Sequence, residues 1–449
     1  MGVTGLVGPV EIHVREPLIP LEQGPLEPLR KCSHSLSQQG LDLIFEQVLS
    51  GGQIFKDRNL LRHDYMPTSL PHREEQIRRL GSVLAPALSK ERVSNIFAYG
   101  KTGTGKTIVA RFVLDRLQKK ARDYGRAVDT SYVNCRLSGT NYRVIADLCR
   151  ALGQEVPFTG LAVGELLDRL RDALKSRGSA FLVVLDEIDA LVKRSEDDSV
   201  LYELTRINES LEGGWIGVIG ISNDLHFKDF LDPRVLSSLG EEELVFKPYS
   251  SDELYDILSD RAEAAFQPGA LEDGALRLCA AMAAGEHGDA RRALDLLRVA
   301  GEIGERGREK SILESHVRLA QQKVEHDRVT EVLSSLPLHS RILLIAILHS
   351  ESAKKESLVT GDVYEVYREL CAAAAVESLT QRRVSGLLNE LDLMGIVNAR
   401  VVSFGRYGRT KKIRLGVEPR AVTSTFGSDG LVRGLLNYAP KSLPKQHNH

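Results

Sequence analysis

The order of apolar and polar residues changes its period twice along the chain. Between about 54 and 245, short continuous apolar runs alternate with amphipathic stretches of helix length. The runs are VSNIFAYG (93–100), AVDTSYVNC (127–135), AFLVVLDE (180–187) and IGVIGISN (216–223). Strands with such unbroken apolar character, separated by helices, predict a parallel sheet covered on both faces. After FKPYSS (246–251) the strand signal ends. Ser250 and Glu253 have capping-box spacing and open a predicted helix over about 251–266. Further helices are predicted near 273–284, 288–303 and 311–325, which makes a small all-helical unit.

From about 330 the pattern predicts three helices and then a hairpin. In SLTQRRVSGLLNELDLMG (378–395), Ser378 and Gln381 fit a second capping box and Gly395 a helix stop. Val384, Leu387, Leu388 and Leu391 share one helical face, and Arg382 and Arg383 point elsewhere. VVSFGRYGRTKKIRL (401–415) reads as two strands around a glycine turn. Residues 1–50 mix proline and glycine without helical period, which predicts a loosely ordered extension with one short helix at 40–49. The polar stretch 417–449 is predicted to be a tail. The expected divisions are therefore 1–50, 51–247, 248–329, 330–416 and 417–449.

Composition adds little until it is read locally. A chain of 449 residues should hold two or three domains, because single cores stop growing near ~250–300 residues. The 59 basic and 61 acidic residues give a net charge of -2, so there is no global case for a polyanionic partner. The hairpin 401–415 is the exception, with Arg406, Arg409, Lys411, Lys412 and Arg414 and no acidic residue. The five cysteines (Cys32, Cys135, Cys149, Cys279, Cys371) are widely spaced and never in a Cys-x-x-Cys pair. That argues against a disulfide framework or zinc site and for a reducing compartment. No apolar run approaches the ~18–20 residues of a membrane span, so the expected location is cytoplasmic, without a membrane partner.

The candidate chemistry begins at GKTGTGKT (100–107), a phosphate-loop motif placed between a predicted strand and a predicted helix. Gly100, Lys101, Thr102, Gly103, Thr104, Gly105, Lys106, Thr107 and Ile108 are the candidate nucleotide contacts. Gly103 and Gly105 let backbone N–H groups turn inward, Lys106 puts a point charge on the β/γ phosphates, and the Thr107 hydroxyl can ligate Mg²⁺. FLVVLDEIDAL (181–191) ends a buried strand in two carboxylates, a poor core feature without a cation. Asp186 is the candidate for the Mg²⁺ shell and Glu187 for orienting and deprotonating the attacking water. Asn223, at the end of GVIGISND (217–224), is the candidate for positioning that water against the γ-phosphate. Taken alone, these pairs would read as a solvated strand end and a turn.

Near the C-terminus, three helices followed by a hairpin form a winged-helix arrangement, a helix-turn-helix variant. Gln381, Arg382 and Arg383 begin its reading helix, and Arg406, Arg409, Lys411 and Lys412 lie on the wing. Eight basic residues against two acidic ones between Arg382 and Arg414 favour double-stranded DNA over a purely protein-binding module.

Together with GDARRAL (288–294) in an all-helical unit, these motifs resemble an AAA+ ATPase. FKDRNLLRHDYMPTSLPHREEQI (55–77), LDPRVLSSL (231–239), FKPYSSDEL (246–254), GDARRALDLLR (288–298) and LTQRRVSGLLNEL (379–391) narrow the resemblance. They are similar to the archaeal replication initiators, related to the largest origin recognition complex subunit and to the cell-division-control loader. The likeness spans about 55–415. It implies an α/β AAA+ P-loop parallel sheet, an α-helical lid and a C-terminal winged-helix DNA-binding domain. It implies ATP/ADP and Mg²⁺ as cofactors. It makes Arg291 the lid arginine reaching the γ-phosphate, with Arg292 as competitor, and gives Tyr249 and Arg261 nucleotide contacts. Tyr249 reads equally as a hinge-packing aromatic and Arg261 as a helix-surface charge. Pro71, His72 and Arg73 would flank adenine or simply enter a helix, and Arg234 is either an arginine finger for a neighbouring subunit or a structural ion-pair residue. RALGQEVPFTGLAVGELLDRL (150–170) would be the initiator-specific element touching DNA, with Pro157 and Phe158 as minor-groove wedges, or a packing insertion.

The resulting expectation is ATP-dependent recognition of replication origins, slow hydrolysis as a conformational switch, and recruitment of the replicative minichromosome maintenance helicase, with further initiator copies on nucleoid DNA. The alternative is a clamp or helicase loader, or a remodeller, that uses the winged helix for protein contacts. Against threading, NCRLSGTNYRV (134–144) carries no aromatic-aliphatic-glycine pore loop.

Overall fold

The computed structural model describes residues 54–195, 197–353, 358–403 and 409–443. The extension over 1–50, with its expected helix at 40–49, lies outside them, as does Arg406. The four apolar runs form β1 (Ile96–Gly100), β2 (Val128–Asn134), β3 (Ala180–Asp186) and β4 (Trp215–Ser222). A fifth strand, β5 (Glu242–Phe246), completes a parallel sheet in the order β2-β3-β4-β1-β5. β5 lacks a continuous apolar run for a physical reason. It is an edge strand with Leu244 and Phe246 buried and Val245 exposed, so no continuous run marks it.

Helices cover both faces. On one face α1 (Glu74–Leu84) and α2 (Lys106–Asp123) pack against Ile96, Ala98, Leu182, Val184, Ile219 and Ile221. On the other face, Phe181, Val183 and Leu185 meet a cluster fed by α3 (Cys135–Ser138), α4 (Asn141–Ala151), α5 (Val163–Arg177), α6 (Ile188–Ser195), α7 (Ser199–Arg206) and α8 (Pro233–Leu239). The two-residue alternation of strand side chains explains this split, and why β3, covered on both faces, is buried throughout.

The lid consists of α9 (Ser251–Ala265), α10 (Asp273–Gly285), α11 (Ala290–Arg306) and α12 (Glu314–Ser335). The Ser250–Glu253 capping box forms in both directions. Ile54, Phe55 and Leu61 belong to the lid's apolar cluster, not to the sheet's, which corrects the expected start of the nucleotide-binding core at 51. Phe55 packs on Phe266 with ring centroids 5.0 Å apart, and Arg58 pairs with Glu305. Gly301 makes room for this strap, because a Cβ there would lie 2.5 Å from the Phe55 ring.

The C-terminal unit has α13 (Leu338–Ala353), β6 (Leu358–Val359), α14 (Thr360–Ala373), α15 (Gln381–Leu393), β7 (Val397–Ser403) and β8 (Arg409–Leu415), with an antiparallel sheet in the order β6-β8-β7. The cap of α15 is Thr380, which accepts the Arg383 N–H, and not Ser378. Leu379 packs on the core and donates its N–H to the Tyr367 hydroxyl (3.3 Å), so the helix cannot begin earlier. The expected tail is also corrected. Residues 417–443 include α16 (Pro419–Gly427) and α17 (Arg433–Leu436), whose Val422, Phe426 and Leu435 are buried. Asp429 anchors this segment to Arg341 at 2.6 Å.

Candidate nucleotide cleft and nucleic-acid interface

The phosphate loop leaves the end of β1 and enters α2, with Gly103 and Gly105 in the left-handed region (φ 70° and 94°). A side chain at either would be strained and would strike the Asp289 carboxylate or the Tyr249 hydroxyl. Lys106 is only 5% exposed and donates from Nζ to the carbonyls of Gly100 (2.8 Å) and Lys101 (2.6 Å). Burial pushes its pKa down to about 8, and Arg291 pushes the same way against the pull of Asp186. Thr104 is buried and bonds the Lys101 carbonyl, whereas Lys101 and Thr102 themselves are exposed at the loop tip.

Asp186 ends β3 buried beside this loop. Its Oδ2 accepts hydrogen bonds from the Thr107 hydroxyl (2.7 Å) and the Tyr132 hydroxyl (2.8 Å). Burial and the Asp186 contact push Tyr132 up to about 12, so it stays a donor. A buried carboxylate touching a hydroxyl beside a phosphate loop is an all-oxygen donor set, which fits Mg²⁺. Glu187 follows in the left-handed region (φ 54°). Asn134 donates to one of its oxygens (3.2 Å) and Arg136 approaches the other (3.5 Å). Tyr132, Asn134 and Arg136 carry no motif of their own; strand register sets Asn134 opposite Asp186, and Arg136 follows in α3.

Gly103, Gly105, Thr107, Ile108, Asp186, Glu187, Tyr249, Arg261 and Arg291 line one cleft of about 500 Å³ between sheet and lid. Arg291, in the first turn of α11, has no ion pair among the described residues, whereas Arg292 is held by Glu286 at 3.0 Å and turned away. The Gly103 carbonyl accepts the Ala290 N–H (3.2 Å), so the lid helix carrying Arg291 sits directly on the phosphate loop. Tyr249 both lines the cleft and is buried in the hinge, and Arg261 ties the Leu60 carbonyl (2.9 Å) from the cleft wall. Pro71 lines the cleft, His72 bonds Asp256 (2.8 Å), and Arg73 lies beneath the phosphate loop. Asn223 is half-buried just past β4, its N–H on Asp189 (3.2 Å), and is not among the cleft-lining residues. Arg234 is exposed and pairs with Asp232 (3.1 Å), away from the cleft of its own chain.

In the winged helix, Gln381, Arg382, Lys411, Thr360 and Val401 line a groove of about 480 Å³ between α15 and the wing strands. Arg383 and Lys412 are exposed nearby, and Lys411 is engaged with Asn389 of α15. Arg409 begins β8; its side chain and the whole of Arg406 lie outside the described residues. In the nucleotide-binding unit, Phe158 is 75% exposed on the loop between α4 and α5. The guanidinium groups of Arg143 and Arg150 lie 5.9 and 6.0 Å from its ring centroid. Both arginines come from α4, and Arg143 lies outside the 150–170 stretch.

Three family models match: an AAA domain over residues 90–225, the Cdc6 AAA+ ATPase-type lid domain over 255–322 and the CDC6 C-terminal winged helix domain over 331–425. An ORC1-type DNA replication protein of Pyrococcus horikoshii is 52% identical over 413 residues, covering 91% of this chain and 98% of the relative. ORC1-type DNA replication protein 1 of Archaeoglobus fulgidus is 48% identical, covering 88% and 96%. The solved Aeropyrum pernix ORC1 protein in complex with DNA has a TM-score of 0.79 and 50% identity, covering 86% of this chain and 99% of that one. The A. pernix ORC2 protein in ADPNP and ADP complexes has a TM-score of 0.57 and 25% identity, covering 86% and 100%.

Proposed function

The chain belongs to the ORC1-type DNA replication proteins, and from that premise we propose an ATP-switched initiator that binds replication origins and recruits the replicative helicase. The single observation that carries the switch is the hydrogen bond from the Ala290 N–H to the Gly103 carbonyl. The lid is seated on the loop that takes the phosphates, so phosphate occupancy sets the lid's position. The lid's last helix, α12, runs on to the winged helix, where α16 packs against it. Nucleotide state thereby sets how the reading helix is presented.

Lys106 and Arg291 bind the phosphates from the two sides of the cleft. Thr107 and Asp186 would hold Mg²⁺, which would supply neutralisation of phosphate charge. Glu187 orients the attacking water and takes its proton once it leaves Asn134 and Arg136. Asn223 orients the same water, and Arg234 reaches the nucleotide of a neighbouring copy. Turnover is slow, since Glu187 is held away until the site closes. On DNA, Gln381, Arg382 and Arg383 meet base edges in the major groove, and Arg406, Arg409, Lys411 and Lys412 meet phosphates or the minor groove. The exposed Phe158 between two arginines supports a second, wedging contact in the minor groove.

Footprinting on genomic DNA tests the reading. Protected, repeated sites that strengthen with ATP are expected. A clamp loader or remodeller using the winged helix for protein contacts would leave no repeated footprint with any nucleotide.

A further inference from the structure

Arg73 is 4% exposed, and its guanidinium makes no salt bridge among the described residues. Its three nitrogens donate to carbonyls instead: Nε to Thr104 (2.9 Å), one terminal nitrogen to Lys247 (2.8 Å) and the other to His72 (2.7 Å). Its flat face lies 3.6 Å from the Tyr249 ring centroid. Thr104 belongs to the phosphate loop, Lys247 to the link between sheet and lid, and Tyr249 to the hinge. A Cβ on Gly105 would be 3.6 Å from Arg73 Nε, so the cation is pressed against the outer side of the loop.

Burying a guanidinium without a carboxylate partner is costly, and burial holds the Arg73 pKa down. Tyr249, and then Glu253 and Glu74 by attraction without contact, only partly offset this. The unmet charge lies against the loop that faces the phosphates. The bond to the Thr104 carbonyl also polarises the Thr104–Gly105 peptide, which makes the Gly105 N–H a stronger donor to an anion. We propose that Arg73 is a positioning residue whose missing counter-charge is the polyphosphate of the bound nucleotide, so that it reads phosphate charge through the loop and not the base. This rests on the reading of the cleft as a nucleotide site.

The test is competition against a fluorescent ADP by ATP, pyrophosphate and adenosine, on the full chain with wild-type Arg73, Arg73→Gln and Arg73→Lys. Glutamine still reaches the Thr104 carbonyl but carries no charge, and lysine keeps the charge without the fork. Arg73→Gln should lose about ten-fold or more in ATP and pyrophosphate affinity and less than about two-fold for adenosine. Arg73→Lys should recover ATP affinity to within about three-fold of wild type. Equal losses for ATP and adenosine, no loss, or a lysine variant as weak as the glutamine one would overturn the proposal. If Arg73→Gln does not fold by circular dichroism, the lysine variant decides: ATP affinity within about three-fold of wild type supports the charge role, and a loss of about ten-fold or more refutes it. Failure of the wild-type chain to bind ATP would instead remove the nucleotide reading itself.

Discussion

The two basic regions of this molecule hold their charge in opposite ways. At the phosphate loop, Lys106 and Arg73 are buried, tied to backbone carbonyls and fixed in geometry. On the winged helix, Arg382, Arg383, Lys412 and Arg414 are exposed. Buried cations suit one compact anion, because their desolvation is offset only when that anion arrives in the right place. Exposed cations suit a long polyanion, because their contribution comes from counterion release and needs no single geometry. One region therefore suits a compact anion and the other a long polyanion.

Lys106→Ala should abolish measurable nucleotide binding, at least about a hundred-fold in Kd by calorimetry, while DNA binding without nucleotide is retained. Loss of both would mean the two regions are not separable. Glu187→Gln should bind ATP like wild type and lose about a hundred-fold or more in turnover; undiminished phosphate release would remove Glu187 from the mechanism. Arg291→Ala should slow turnover by about ten-fold or more, and Arg292→Ala by less than about three-fold, because only Arg291 faces the cleft. The reverse order would reassign the lid arginine.

Arg406→Ala with Arg409→Ala should reduce the salt slope of DNA binding by about two and leave ATP affinity unchanged. An unaltered slope would show that the wing touches no phosphate. The smallest effect concerns pH. Lys106 in the free protein is charged below about 8 and neutral above it, and only the charged form attracts phosphate. ATP affinity should therefore fall as pH rises from 7 to 9, by up to about ten-fold, and the fall should be absent in Lys106→Arg. A flat profile in wild type would place the Lys106 pKa well above 9.

The sequence by itself carried four of the sheet's strands, the helical lid, the three-helix-and-hairpin unit and the motifs that contain the loop, Asp186 and Glu187. These depend on local period and short motifs, which survive without knowledge of neighbours. It did not carry β5, whose apolar residues alternate, or α16 and α17, whose few apolar side chains bury against α12, α13 and each other. Nor did it show that Ile54 and Phe55 strap the lid, that Phe158 sits between Arg143 and Arg150, or that Arg291 and not Arg292 faces the cleft. Each of these is settled by which surfaces meet after folding. A motif states which groups can bind phosphate, but their burial, and so the strength of their charge, depends on partners far away in the chain.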